Sequence, residues 1–127
     1  MGANWKCNGT TAFVKEITTH LINELEFDPK KLDFLVLPSF LHLSLFQAIV
    51  DEKVKIGAQN CGANGEGAFT GEVAADHLKD YGVNWVLIGH SERRNLYGET
   101  QEVITKKLQE AEDCELGVLY CCGENAE

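Results

Sequence analysis

Short apolar runs that do not alternate with polar residues are the strongest constraint on this sequence. Phe34–Leu37, Trp85–Ile88 and Gly117–Cys121 each run through apolar positions without a polar face, and Lys55–Gln59, preceded by Val54, is a weaker version. A strand with one wet face alternates, whereas a strand covered on both faces need not; continuous runs are the pattern of a parallel sheet with helices on it. The segments between them have a helical period. Phe13, Val14, Ile17, Leu21, Ile22 and Leu25 form one apolar stripe. Thr10 or Thr11 is placed to cap that helix through a side-chain oxygen. Val73, Ala74, His77, Leu78 and Tyr81 form a second stripe, with Gly82 where a helix C-cap is expected. Val103, Ile104, Lys107, Leu108 and Ala111 form a third, started by Thr100, and a shorter helix is expected over Leu41–Val50. Strand, loop, helix, strand in repetition means an α/β fold with right-handed crossovers. No low-complexity segment or linker divides it, so residues 1–127 are expected to form one domain.

Charge and cysteine usage narrow the function. The formal net charge is -9, with no basic run, which argues against a nucleic-acid or anionic-membrane partner, since both are polyanions. An anionic ligand would have to be attracted by a few local cations and backbone dipoles. No apolar run reaches the ~20 residues that span a bilayer. Met1–Lys6 is not a charged-then-apolar signal peptide, so a cytoplasmic location is expected. The 5 cysteines are odd in number and contain no C-x-x-C pair, which points to reduced thiols rather than a disulfide frame or a metal site.

The polar residues with chemical potential cluster at the C-terminal ends of the proposed strands, where active sites of parallel α/β folds converge. Asn4 and Lys6 lie near the start, Gln59 and Asn60 follow the second internal strand, and His90 with Ser91 and Glu92 follows the third. Lys6 is a point cation suited to a small phosphate or carboxylate; its plain alternative is a surface lysine. His90 reads as the turn into a short helix, where the positive end of the helix dipole disfavours imidazolium. A neutral imidazole there could donate a hydrogen bond to a substrate oxygen; the alternative is a histidine that only caps backbone. Gly62, Gly65, Gly67 and Gly71 do not have the G-x-G-x-x-G spacing of a dinucleotide site, and no acidic residue follows at the required distance. A long ordered loop presenting Phe69 at its tip, able to dock into a partner, fits better. Cys121 and Cys122 close an apolar strand with no base placed beside them by the sequence, so both read as packing residues.

Together, the segments Ala3–Gly9, Ala58–Asn60, Gly67–Glu72, Ile88–Arg94 and Cys121–Glu124 resemble the triosephosphate isomerase family in order and spacing. The resemblance runs through essentially all 127 residues. It implies the eight-stranded β/α barrel of typically ~250 residues, represented here by about its first five strands as an incomplete barrel. The first strand is expected to be clipped at its start, and the end at Glu127 to fall short of barrel closure. The implied reaction is the glycolytic and gluconeogenic interconversion of dihydroxyacetone phosphate and D-glyceraldehyde 3-phosphate through an enediol(ate), with no metal and no organic cofactor.

Position by position, the resemblance makes Asn4 and Lys6 the substrate-contacting pair and His90 the electrophile; the family is itself the standard example of a neutral histidine set by a helix N-terminus. Glu92 takes the place of the carboxylate that pairs with the lysine. Arg93 and Glu99 match a structural ion pair, Ser91 lies in the same His-Ser-Glu run, and Cys121 matches a cysteine packed behind the site. The loop from Gln59 to Glu72 matches the one that enters a neighbouring subunit and brings Thr70 near Asn4 of the partner subunit. A homodimer is implied, with Cys7, Phe69 and Thr70 at the interface and Cys7 in place of the commoner methionine. The family's glutamate base and later phosphate loops have no counterpart in residues 1–127, so the chain alone is expected to be inactive. Two rival readings are a non-catalytic half-barrel serving binding or assembly through the Phe69 loop and open strand edges, and a half-barrel homodimer that closes on itself and binds a small phosphate at Lys6.

Overall fold

The structure, a computed structural model, describes residues 2–121; Cys122, Gly123 and Glu124, the end of the last motif above, lie outside the described residues. The chain divides into two compact units at Gln59 and Asn60.

In the first unit, three parallel strands are formed by Gly2–Asn4 (β1), Leu35–Leu37 (β2) and Lys55–Ala58 (β3). Asn4 pairs with Leu37, and Val36 with Ile56. Helix α1 covers Thr11–Ile17 and starts where the Thr10 side chain accepts the Phe13 N–H at 3.1 Å, so Thr10 rather than Thr11 is the cap. It continues as a wider π-type turn over Thr18–Ile22. That change of winding puts Ile22 rather than Leu21 on the buried face: Val14 and Ile22 are sealed, Ile17 and Leu25 half-buried, and Leu21 is exposed; Phe13, ahead of the change, is also largely exposed. A 3₁₀ turn at Phe40–His42 leads into α2, Leu43–Ile49. Val14, Ile22, Val36, Phe46 and Val54 make the core, with Trp5 packed against it. The Trp5 indole meets Phe13 and Phe46 edge-on at 5.8 and 5.4 Å between ring centres, the favoured aromatic geometry.

The second unit has two parallel strands, Trp85–Ile88 (β4) and Gly117–Tyr120 (β5), paired in register from Trp85↔Gly117 to Ile88↔Tyr120. Gly117 is needed for a steric reason: a Cβ there would lie 2.5 Å from the Trp85 ring that covers it. Helices α3 (Ala75–Asp80), α4 (Ser91–Leu96) and α5 (Gln101–Asp113) complete it. The Thr100 side chain accepts the Val103 N–H at 3.3 Å, as a cap should, and α5 packs on both strands. Gly82, just beyond α3, adopts φ 87. On the second stripe Ala74, Ala75 and Leu78 are buried while His77 and Tyr81 face out; on the third, Ile104, Lys107 and Ala111 are buried. Among the described residues, no helix is long and apolar enough to cross a membrane.

Candidate active-site residues

At the end of β1 the chain makes an abrupt turn that determines how Lys6 is presented. The Trp5 N–H still donates to the Leu37 carbonyl at 3.1 Å, extending the β1–β2 pairing by one residue. Lys6 then enters the left-handed region at φ 55, where a residue with a Cβ is strained by ~1 kcal/mol or more. Two side chains hold it there. Asn4 Oδ1 accepts the Lys6 N–H at 2.9 Å. Gln59 Nε2 donates to the Lys6 carbonyl and to the Leu37 carbonyl, each at 2.9 Å. The Lys6 side chain is exposed, as is Cys7 beside it. Sequence reasoning placed Gln59 at a strand end but missed its role, which is to hold the backbone that carries the lysine.

His90 is presented differently. It is the N-cap of α4, at an ordinary φ of -57, and its ring accepts the Glu92 N–H at Nδ1 over 3.2 Å. A nitrogen that accepts carries no proton, so in the neutral ring the hydrogen is on Nε2. Glu92 Oε2 lies 3.5 Å from Nδ1; Ser91 opens the helix and is exposed. The step before His90 is taken by Gly89 at φ 81. Arg94 bridges this turn to the end of β5: its Nε donates to the Gly89 carbonyl at 2.8 Å and its guanidinium to the Cys121 carbonyl at 3.1 Å. Cys121 is half-buried there.

Behind α4 is a buried ionic group. Glu99 Oε2 accepts from Arg93 Nε and from Lys107 Nζ, the latter at 2.6 Å, and Lys107 also donates to Asn60 Oδ1 at 2.8 Å. The Lys107 and Glu99 side chains are only 3% and 6% exposed, which makes their pairing obligatory. Burial pushes the Glu99 carboxyl up, but the lysine and arginine outweigh it and hold it below the usual carboxylate range. The Arg93–Glu99 pair expected from the sequence is present, and Lys107 is its third member.

Cys61 and Cys114 are poor nucleophiles. Burial pushes the Cys61 thiol up to about 11. Burial and then the Asp76 carboxylate, which accepts from the sulfur at 2.6 Å, push Cys114 up to about 12. In the loop between β3 and α3, Gly62 N–H donates to the Val73 carbonyl at 2.8 Å, closing its base. Near its tip the Phe69 ring folds back over Gly67, yet remains 42% exposed, and Thr70 is exposed. Among the described residues, no group of three or more His, Cys, Asp or Glu side chains is placed to hold a metal ion.

The profile of the family described as triosephosphate isomerase matches residues 1–127. The chain is 40% identical over 127 residues to the chloroplastic triosephosphate isomerase of Fragaria ananassa, covering 100% of this chain and 40% of that protein. It is 43% identical over 126 residues to the glycosomal enzyme of Trypanosoma cruzi, covering 98% and 49%. It is 40% identical over 124 residues to the cytosolic enzyme of Stellaria longipes, covering 98% and 48%. The chain therefore spans less than half the length of each of these relatives.

Proposed function

Because the chain belongs to the triosephosphate isomerase family, we propose that its residues supply the polarising part of an isomerase site that interconverts dihydroxyacetone phosphate and D-glyceraldehyde 3-phosphate, a step of glycolysis and gluconeogenesis. The observation that carries this reading is the state of His90. With Nδ1 accepting from the Glu92 N–H, the ring can offer Nε2–H to a substrate oxygen. A donor already aimed where negative charge develops lowers the barrier without reorganisation at the moment of reaction. In the proposed cycle a carbon-bound proton leaves to a base and the electron pair forms the enediolate. The hydroxyl proton passes to the former carbonyl oxygen, and the base returns its proton to the neighbouring carbon as the other oxygen becomes the new carbonyl, so nothing is oxidised overall and no cofactor is needed. His90 hydrogen-bonds the oxygen on which charge accumulates. Lys6 contributes the cation for that charge and for the phosphate, and Asn4 contacts substrate while fixing the lysine backbone. Ser91, Glu92 and Cys121 support the histidine turn. The family's glutamate base lies on a later loop that residues 1–127 do not match, so the chain alone has the electrophile without the base.

The family match is unbroken through residues 1–127, which supports treating both units as parts of one barrel domain. A homodimer fits the same reading, with exposed Cys7, Phe69 and Thr70 at its interface. Thiol reagents that modify Cys7 should then block dimerisation, and Cys7→Ala should abolish their effect. A cytoplasmic location accords with the cytosolic relative, although chloroplastic and glycosomal relatives exist.

The deciding experiment assays the chain alone, then mixed with a polypeptide covering the remaining length of a relative, both made in a host lacking its own isomerase. The chain alone should be silent. The mixture should turn over triose phosphate, and His90→Gln should lower that rate on the order of 100-fold or more. A reconstituted rate indifferent to His90→Gln would overturn the reading. Turnover by the chain alone that vanishes with His90→Gln would locate a base within residues 1–127.

A further inference from the structure

The guanidinium of Arg94 stands at the last described bond of the β4–β5 pairing. Among the described residues, the last backbone bond between the strands is from the Cys121 N–H to the Ile88 carbonyl, at 2.9 Å. The next two carbonyls, Gly89 and Cys121, are taken up by Arg94 Nε and a terminal guanidinium nitrogen at 2.8 and 3.1 Å. The same nitrogen reaches the Tyr120 hydroxyl at 3.3 Å, and the other terminal nitrogen reaches Gln101 Oε1 at 3.3 Å. A planar guanidinium presents its donors in a fixed fork, which an ammonium cannot reproduce. Gly89 is shaped to admit it: at φ 81, a Cβ would lie 2.9 Å from both the guanidinium nitrogen and the Cys121 carbonyl.

The position of this fork bears on His90. The Gly89 carbonyl belongs to the peptide that enters His90, and the Arg94 side chain fixes it. The His90 carbonyl belongs to the peptide that leaves it, and the Arg94 backbone N–H donates to it at 3.2 Å. One residue therefore holds the peptide groups on both sides of the histidine, tying them to the end of the neighbouring strand. We propose that Arg94 is a positioning residue for His90, fixing its backbone so that the ring keeps Nδ1 on the Glu92 N–H and presents Nε2. Its catalytic consequence rests on reading His90 as the electrophile; the positioning itself does not.

The test is ¹⁵N NMR of the full chain, following the His90 ring nitrogens and the Glu92 amide at neutral pH. In the wild type, Nδ1 should show the shift of an unprotonated acceptor. Arg94→Ala should move both signals, toward an averaged ring and a weaker Glu92 hydrogen bond. Added guanidinium ion should restore them in Arg94→Ala but not in Gly89→Ala, where the new Cβ occupies the fork's space. Loss of stability alone would leave the folded-state signals where they were. Should Arg94→Ala not fold, Arg94→Lys serves instead: it should shift the same signals despite keeping the charge. A folded Arg94→Ala or Arg94→Lys with unchanged His90 and Glu92 signals would overturn the proposal. A reconstituted activity indifferent to His90→Gln, with the NMR response intact, would sink the isomerase reading and leave the positioning standing.

Discussion

Lys6 and His90 both follow strand ends, yet the chain fixes them by opposite means. At Lys6 the strain is in the residue itself, at φ 55, opposed by two short polar contacts from Asn4 and Gln59, and the side chain stays exposed. At His90 the unusual backbone is passed to Gly89, where it costs little, and the imidazole is held by a helix cap backed by Arg94. The difference accords with the role proposed for each group. An ammonium is a nearly spherical charge on a flexible stem, so placing its backbone is enough. An imidazole acts through one named nitrogen, so the ring's rotation and tautomer must be set as well.

If that contrast is right, the second unit should be the less forgiving of the two. The largest effect is expected at Lys107. Replacing it with methionine keeps the volume but leaves the Glu99 carboxylate with Arg93 alone and Asn60 without its donor. Breaking one side of a buried ion pair typically costs about 3–5 kcal/mol, which urea unfolding would read. A loss below about 1 kcal/mol, the level of an exposed pair, would mean the ionic group is incidental to the unit.

The same group sets an acid limit. The folded-state Glu99 carboxyl is held below its ordinary value, so its ionised form stabilises the fold above the unfolded-state value of 4.5. That contribution is lost as pH falls below that point and through the folded-state value. Unfolding curves from neutral pH to about pH 3 should show the wild type losing stability in this window. Glu99→Gln should be less stable at neutrality and flatter below. Parallel wild-type and variant profiles would remove Glu99 as the cause.

How much of this was legible in the residues depends on the kind of signal. The strands were readable because a double-sided apolar run such as Trp85–Ile88 leaves few alternatives, and Thr10 and Thr100 act as caps because their chemistry is local. Lys107 carried a readable anomaly: a charge on an apolar stripe between Ile104 and Ala111 implies a buried partner, and the partner, Glu99, is eight residues away. Three things were not readable. The π-type turn at Thr18–Ile22 left Leu21 exposed and buried Ile22, because periodicity assumes constant winding. Gln59 reaches Lys6 across 53 residues, and Arg94 reaches Cys121 across 27; neither separation has a local pattern.

A middle-sized effect tests the first unit. Gln59→Ala removes two hydrogen bonds to backbone carbonyls, each worth about 0.5–1.5 kcal/mol, so the expected loss is about 1–3 kcal/mol, again by urea unfolding. Because these bonds hold a strained residue, the loss should shrink when Lys6 is also changed to glycine. Additive losses in the double variant would mean that Gln59 stabilises β2 through Leu37 and does nothing for the turn.

The smallest effect has the opposite sign and separates the two strategies most cleanly. Lys6→Gly removes the steric penalty of φ 55 and should stabilise the fold, by up to ~1 kcal/mol after the added flexibility of the unfolded chain is subtracted. The same change removes the proposed cation, so a reconstituted isomerase should lose activity as it gains stability. No comparable trade is available at His90, whose φ of -57 is already relaxed; His90→Gly should lose on both counts, because the cap to the Glu92 N–H goes with the ring. Were Lys6→Gly instead to destabilise the chain, the Asn4 and Gln59 contacts would have to favour the lysine conformer by more than its strain, and the first strand end would be built like the second.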